Sequence, residues 1–272
     1  MRNRAAGLLL LVAFLSSTCQ INAQGKDHTP NRLYFGSSLE MLNLSTAFVN
    51  HRPEQVNNTI FSSYAVPENR SLTMPRFTPF INLGFTLNYD FNRSFGLMSG
   101  LVIHNIGYIN KAEYYDPSAS AWRSATIKHR VYSIAVPLGL KIGDLRNRNY
   151  FLLGGGIDLP FHYKEKLFRD RNAKISKTSF WYADKSISRF PTPRIMPFVY
   201  MGRSFDPGII VKLQYYPGNF LDPTYSISQG SSVDNVFPFD NYKVHLLLLS
   251  LGVDIHYRQY KIQEREYRKM KK

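Results

Sequence analysis

The 272-residue chain carries 34 Lys and Arg against 19 Asp and Glu, a formal charge of +15. Aromatic residues make up 14% and charged residues 19% of it, which is too apolar for a charged disordered chain, and its recurrent Gly and Pro exclude a long coiled coil. One cysteine, Cys19, excludes an internal disulfide and a cysteine-built metal cluster.

The first element is an export leader. Arg2 and Arg4 precede the apolar run 5–15, and Ile21-Asn22-Ala23 offers a cleavage site after Ala23. Cys19 is then lost with the leader; Ser16 stands where a lipoprotein signal needs an aliphatic residue. The expected organisation is a signal peptide over 1–23, a short lead over 24–31, a barrel over 32–258 and a basic tail over 259–272. The later apolar run 244–253 is interrupted by His245 and Ser250. It is well short of the roughly 20 residues of a helical span. A closed barrel is the other structure that satisfies every backbone group inside a membrane.

Alternation with period two then recurs down the chain, the signature of strands. Strands are expected near 32–43, 81–91, 94–109, 131–142, 151–161, 194–205, 208–216 and 245–257. In the fourth, Tyr132, Ile134, Val136, Leu138, Leu140 and Ile142 oppose Ser133, Ala135, Gly139 and Lys141. In the last, Leu247, Leu249, Leu251 and Val253 oppose Ser250, Gly252, Asp254 and His256. The intervening segments alternate long and short. Long ones run over 44–77, 110–126, 163–193 and 217–242; short ones lie near 92–93, 144–149 and 206–207. Long loops on one side and tight turns on the other are the pattern of outer-membrane barrels.

The predicted fold is therefore all-β: an eight-stranded antiparallel up-and-down transmembrane β-barrel with long extracellular loops and short periplasmic turns. Its place is the bacterial outer membrane, with both mature termini periplasmic. The small and polar face fits a narrow lumen, and the bulky face fits lipid. Aromatic girdles are expected from Tyr89, Phe91, Phe95, Tyr150, Phe151 and Tyr257 at the turn side. Tyr108, Tyr132, Phe161 and Tyr163 would form the other at the loop side.

Ser133-Ile134-Ala135-Val136-Pro137-Leu138-Gly139-Leu140-Lys141, followed by Tyr150-Phe151-Leu152-Leu153-Gly154-Gly155-Gly156, resembles the central hairpin of PorT-like outer-membrane β-barrel proteins of the Bacteroidetes. That resemblance implies an outer-membrane barrel, with roles in the group ranging from small porin-like proteins to an accessory component of type IX secretion and gliding. The chain departs from many outer-membrane barrels by running on past Tyr257 rather than ending on an aromatic residue.

The inward positions place a polar network in the lumen: Glu40, Asn82, Asn88, Lys141, Asp158, Lys212, Asp254 and His256, with Asp90, His104 and Gln214 beside them. Charges in a narrow barrel need partners whatever the function. Lys141, Lys212 and Asp254 are expected toward the periplasmic end, and Asp254 and His256 share a face. No nucleophile motif, metal-ligand spacing or phosphate loop accompanies them, so no catalytic, cofactor or metal site is assigned. A basic extracellular loop holds Lys164, Lys166, Arg169, Arg171, Lys174 and Lys177; a basic tail holds Arg265, Arg268, Lys269, Lys271 and Lys272. The expected partners are outer-membrane lipid, lipopolysaccharide and other envelope or secretion proteins; nucleic acid is not among them. Three functions stay open: a non-enzymatic partner-binding barrel, a small porin-like channel, and a lipid-modifying barrel enzyme.

Overall fold

The alternating runs become strands that close on themselves. The computed structural model describes residues 32–51, 65–67, 72–78, 82–116, 118–169, 173–182, 190–228, 235–236, 239 and 242–256. The leader, the lead before residue 32, Arg171, Tyr257 and the tail lie outside them. In chain order the strands are β1 Leu33–His51, β2 Ala65–Pro67, β3 Arg76–Thr78, β4 Asn82–Asp90, β5 Phe95–Asp116, β6 Ala121–Asp144 and β7 Asn149–Arg169. They continue as β8 Ala173–Trp181, β9 Met196–Phe205, β10 Ile209–Tyr216, β11 Ile227–Ser228, β12 Asn235–Val236 and β13 Tyr242–His256.

Eight of them form a ring in the order β1-β4-β5-β6-β7-β9-β10-β13, closed by β13 against β1. Every neighbouring pair is antiparallel. The fold is thus an up-and-down antiparallel barrel, and closure leaves none of its eight strands as an edge. Short β3 continues the line of β4 along β1, pairing Asn43–Ser45. A bulge in β1 between Glu40 and Leu42 switches the side-chain parity there, so that both Glu40 and Asn43 face inward.

The two faces are chemically opposite. Outward positions of β4 to β7 carry Phe85, Leu101, Leu138 and Phe151 with half or more of their surface exposed, Phe85 at 73%. Inward positions carry buried polar groups, Lys141 at 0% among them. Glycine lets the bulkier lumenal rings fit: a Cβ on Gly154 would lie 2.8 Å from Cζ of Tyr200, and one on Gly156 2.6 Å from Cζ of Phe198.

Strand lengths correct the loop reading. The segment 110–126 is not a long loop. β5 and β6 run on as a hairpin to Asp116 and Ala121, in register throughout that extension. Likewise 163–193 contains the end of β7 and all of β8, paired from His162↔Trp181 to Arg169↔Ala173. Beyond the apolar belt the outward positions become charged, so the apolar contrast that marks a strand in the sequence disappears there.

The girdle expectation also splits. Phe91, Phe95 and Phe151 are exposed at the turn end, with Phe91 and Phe95 stacked at 5.4 Å. Tyr108, Tyr150 and Tyr163 are instead buried inside the ring. Their positions share the inward parity, and the hydroxyls of Tyr150 and Tyr163 find polar partners there.

Candidate functional site

The lumen is built in three tiers. At the turn end, Lys141 of β6 donates to Asp90 Oδ1 of β4 at 2.6 Å and to the Tyr34 hydroxyl at 2.8 Å. Its ammonium also lies 5.0 Å from the Tyr34 ring centre. Tyr150 donates to Asp254 Oδ2 at 3.0 Å, and Arg148 donates to the Pro207 carbonyl at 2.8 Å. These contacts tie five strands and two turns together.

In the middle tier, Lys212 of β10 pairs with Glu40 of β1, whose other oxygen accepts from Asn82 Nδ2 at 2.9 Å. Lys212 therefore lies higher than expected, with Glu40 rather than beside Asp254. Asp158 of β7 is a hub. It accepts from Ser133 Oγ at 2.6 Å and from the Tyr216 hydroxyl at 2.6 Å, and His104 Nδ1 lies 3.2 Å away. Gln214 Nε2 in turn donates to the Tyr216 hydroxyl at 2.6 Å. Asn88 donates to Thr86 Oγ1 at 3.1 Å. His104, missed as an Asp158 partner from sequence, was legible only as an inward position; register alone brings β5, β6 and β7 together at that height.

Serine, histidine and aspartate meet here in the wrong order for acyl transfer. A nucleophile needs its proton taken by a base that a carboxylate orients. Here the carboxylate stands between Ser133 and His104, and all three are buried. Asp254 is in the lower tier with Tyr150; its anticipated neighbour His256 pairs by backbone with Gly36, and its side chain lies outside the described set. Between the tiers lies a cavity of about 30 Å³, lined by Glu40, His104, Tyr200 and Lys212 among others. That is room for about one water.

The third tier plugs the loop end. Phe220, Leu221, Tyr225 and Phe239 are buried within the same core as Tyr108 and Tyr163. Tyr108 packs edge-on to Phe220 at 5.6 Å, and Tyr225 stacks on Phe239 at 5.8 Å. Beside them, His129 Nδ1 lies 2.8 Å from the Tyr163 hydroxyl, which donates to Glu165 Oε2 at 2.8 Å. Glu165 Oε1 has no hydrogen-bond partner among the described residues.

This group lies above the apolar belt, and its protonation is set by burial. Burial pushes the Glu165 carboxyl up to about 8, against the opposing effect of the Tyr163 hydrogen bond. Burial pushes His129 down to about 3. For Glu165 the folded value exceeds the ordinary 4.5, so its share of stability is full below about 4.5 and is lost as pH rises through about 8. For His129 the folded value lies below the ordinary 6.5, so its share is full above about 6.5 and is lost as pH falls through about 3. Glu165→Gln is therefore expected to flatten the loss of stability between pH 5 and 9. Thermal melts in detergent micelles across that range check it; parallel profiles for the two proteins would contradict it.

Lys164, Lys166, Lys174 and Lys177 are on strands β7 and β8, not in a loop. Arg169 turns elsewhere and donates to Asp116 Oδ2 at 3.2 Å.

No protein-family model and no characterised protein matches the sequence. Among solved structures, Ail, the attachment invasion locus protein of Yersinia pestis, overlaps at a TM-score of 0.29 and 14% identity, covering 82% of this chain and 99% of that one. The same protein in complex with the heparin analogue sucrose octasulfate gives a TM-score of 0.28 at 14% identity, with the same coverage. The outer membrane protease OmpT of Escherichia coli gives 0.29 at 12% identity, covering 86% of this chain and 99% of that one. The likeness goes no further than these numbers.

Proposed function

We propose that this chain is an outer-membrane β-barrel that works as a non-enzymatic anchor, holding a basic strand extension outside the cell and a basic tail in the periplasm. The observation that carries this reading is the inversion of the barrel: bulky apolar side chains outside, ion pairs inside. A water-soluble barrel of this size distributes them the other way. The apolar run Ile134–Ile142 rises about 27 Å along its strand, or about 21 Å along the axis at a tilt of about 40°, close to the roughly 25 Å band of membrane barrels. Arg203, near the turn end, lies 4.7 Å from the Phe151 ring centre and 5.3 Å from that of Phe205. That is a suitable place for a cation whose stem lies in lipid and whose head reaches water.

The filled lumen favours an anchor over a channel. Lys141, Glu40 and Asp158 occupy the bore, and the aromatic plug occupies the loop end. The finer role, an accessory part of an envelope or secretion complex, is supported by the PorT-like resemblance and the basic tail. The experiment is planar-bilayer recording with the refolded mature chain. No stepwise conductance is expected. Reproducible unitary steps with a filled-lumen sequence would overturn the anchor in favour of a channel.

A further inference from the structure

The outer wall just above the apolar belt carries cations in register across three strands. On β6, β7 and β8, Lys128 is opposite Lys166, and Lys166 is opposite Lys177. One row nearer the belt, Arg130 is opposite Lys164. One row farther out, Phe168 is opposite Lys174, and Lys111 of β5 is opposite Thr126. Like charges directly opposite on a sheet face repel and cost stability. Burial, and then the neighbouring cations Lys177, Arg130 and Lys174, pull the Lys164 ammonium below its ordinary value. None of these seven cations has an ion pair among the described residues; Lys128 instead lies over the Phe168 ring at 4.5 Å. The carboxylates nearby are placed otherwise. Glu165 and Asp116 face inward. On this face Glu113 lies beyond Lys111, and Asp144 lies at the opposite, turn end of β6.

Immediately below this patch is an aromatic shelf. His162 and Trp181 are 4.4 Å apart, Phe161 stacks on Trp181 at 6.3 Å, and Tyr132 lies 5.6 Å from His162. Arg130 Nη1 donates to the Tyr132 hydroxyl at 3.3 Å. Below the shelf, Ile134 and Leu159 begin the exposed apolar belt. The vertical order is therefore acyl-chain surface, aromatic shelf, then cations, which is the order a phosphorylated lipid presents on its side of the bilayer interface.

We infer that the outward face of β6–β8 is a docking site for a phosphate-bearing glycolipid of the outer leaflet, with Lys128, Arg130, Lys164, Lys166 and Lys177 on its phosphates and the shelf of Tyr132, His162 and Trp181 under its sugar ring edge. The inference rests on the membrane-barrel reading above. A lipid occupant, rather than a soluble anion, follows from the continuity of the cations with the apolar belt: one molecule covers both. It also relieves the cross-strand repulsion, since each phosphate accepts from several of the ammonium and guanidinium groups.

The test uses the full mature chain folded in neutral detergent micelles, with folding scored separately by β-type circular dichroism and heat-shifted gel mobility. The probes are a bisphosphorylated disaccharide lipid A, its dephosphorylated form, and inorganic phosphate. Adducts are counted by native mass spectrometry, and Trp181 emission gives a second readout. The expected result is retention of the bisphosphorylated lipid, at least tenfold weaker retention in K128Q/K166Q/K177Q, recovery in the corresponding triple arginine variant, and no competition by inorganic phosphate. Equal retention of the dephosphorylated lipid, full retention by the glutamine variant, or displacement by inorganic phosphate would overturn the site. A chain that fails to fold in micelles sinks the barrel reading instead, so the two failures are distinct.

Discussion

Asp158→Leu is expected to lower the thermal midpoint of the folded barrel by about 10 °C. The carboxylate accepts from Ser133 and Tyr216 and faces His104, at full burial. Removing one partner of a buried polar cluster costs about 3–5 kcal/mol, because the groups left behind stay desolvated without partners. At about 2–4 °C per kcal/mol for a chain of this size, the shift is of the stated order. Asp158→Asn keeps an acceptor oxygen for Ser133 or Tyr216 and is expected to lose less than half as much. Melts of the two variants in the same micelles check both. A leucine variant as stable as the parent would mean that the hub holds nothing together and that its residues are there for another reason.

Why the sequence carried the barrel but not its upper half follows from the solvent on each face. Between Ile134 and Ile142 lipid-type and lumen-type side chains alternate, so parity is visible in the bare letters. Between Ala121 and Arg130 both faces are polar or mixed, as in Lys128 beside His129, and the period vanishes although the hydrogen-bonded ladder continues unbroken. The bulge at Tyr132/Ser133 against Pro160/His162 shifts parity on β7. It turns Tyr163 and Glu165 inward and leaves Lys164 and Lys166 outward, which no uniform alternation foretells. Lys141 and Asp158 were legible as inward charges, since each lies on the small-residue face of a long strand. Their partners were not, because Asp90, Tyr34, His104 and Tyr216 come from distant strands at matching heights, and height depends on register. The cation rows across β6, β7 and β8 were hidden for the same reason. Lys128, Lys166 and Lys177 are dispersed in the chain and opposite one another only after pairing.

The apolar belt makes the strongest demand. A soluble barrel exposing Phe85, Leu101, Leu138 and Phe151 in one continuous band would present far more than the few hundred Å² of apolar patch that monomers in water tolerate. Bilayer lipid removes that cost and adds another: Phe85→Arg is expected to cost about 2–4 kcal/mol if the position lies near mid-bilayer. In water the same substitution would improve solubility. The two environments thus predict opposite signs for one change. The direct measurement is refolding of urea-unfolded mature chain, parent and Phe85→Arg, by dilution into phosphatidylcholine vesicles or into lipid-free buffer, scored by heat-shifted gel mobility and β-type circular dichroism. The expected result is a folded species in vesicles alone, with its yield falling in Phe85→Arg. A monomeric, β-rich parent in lipid-free buffer, with Phe85→Arg folding as well or better there, would contradict the membrane barrel.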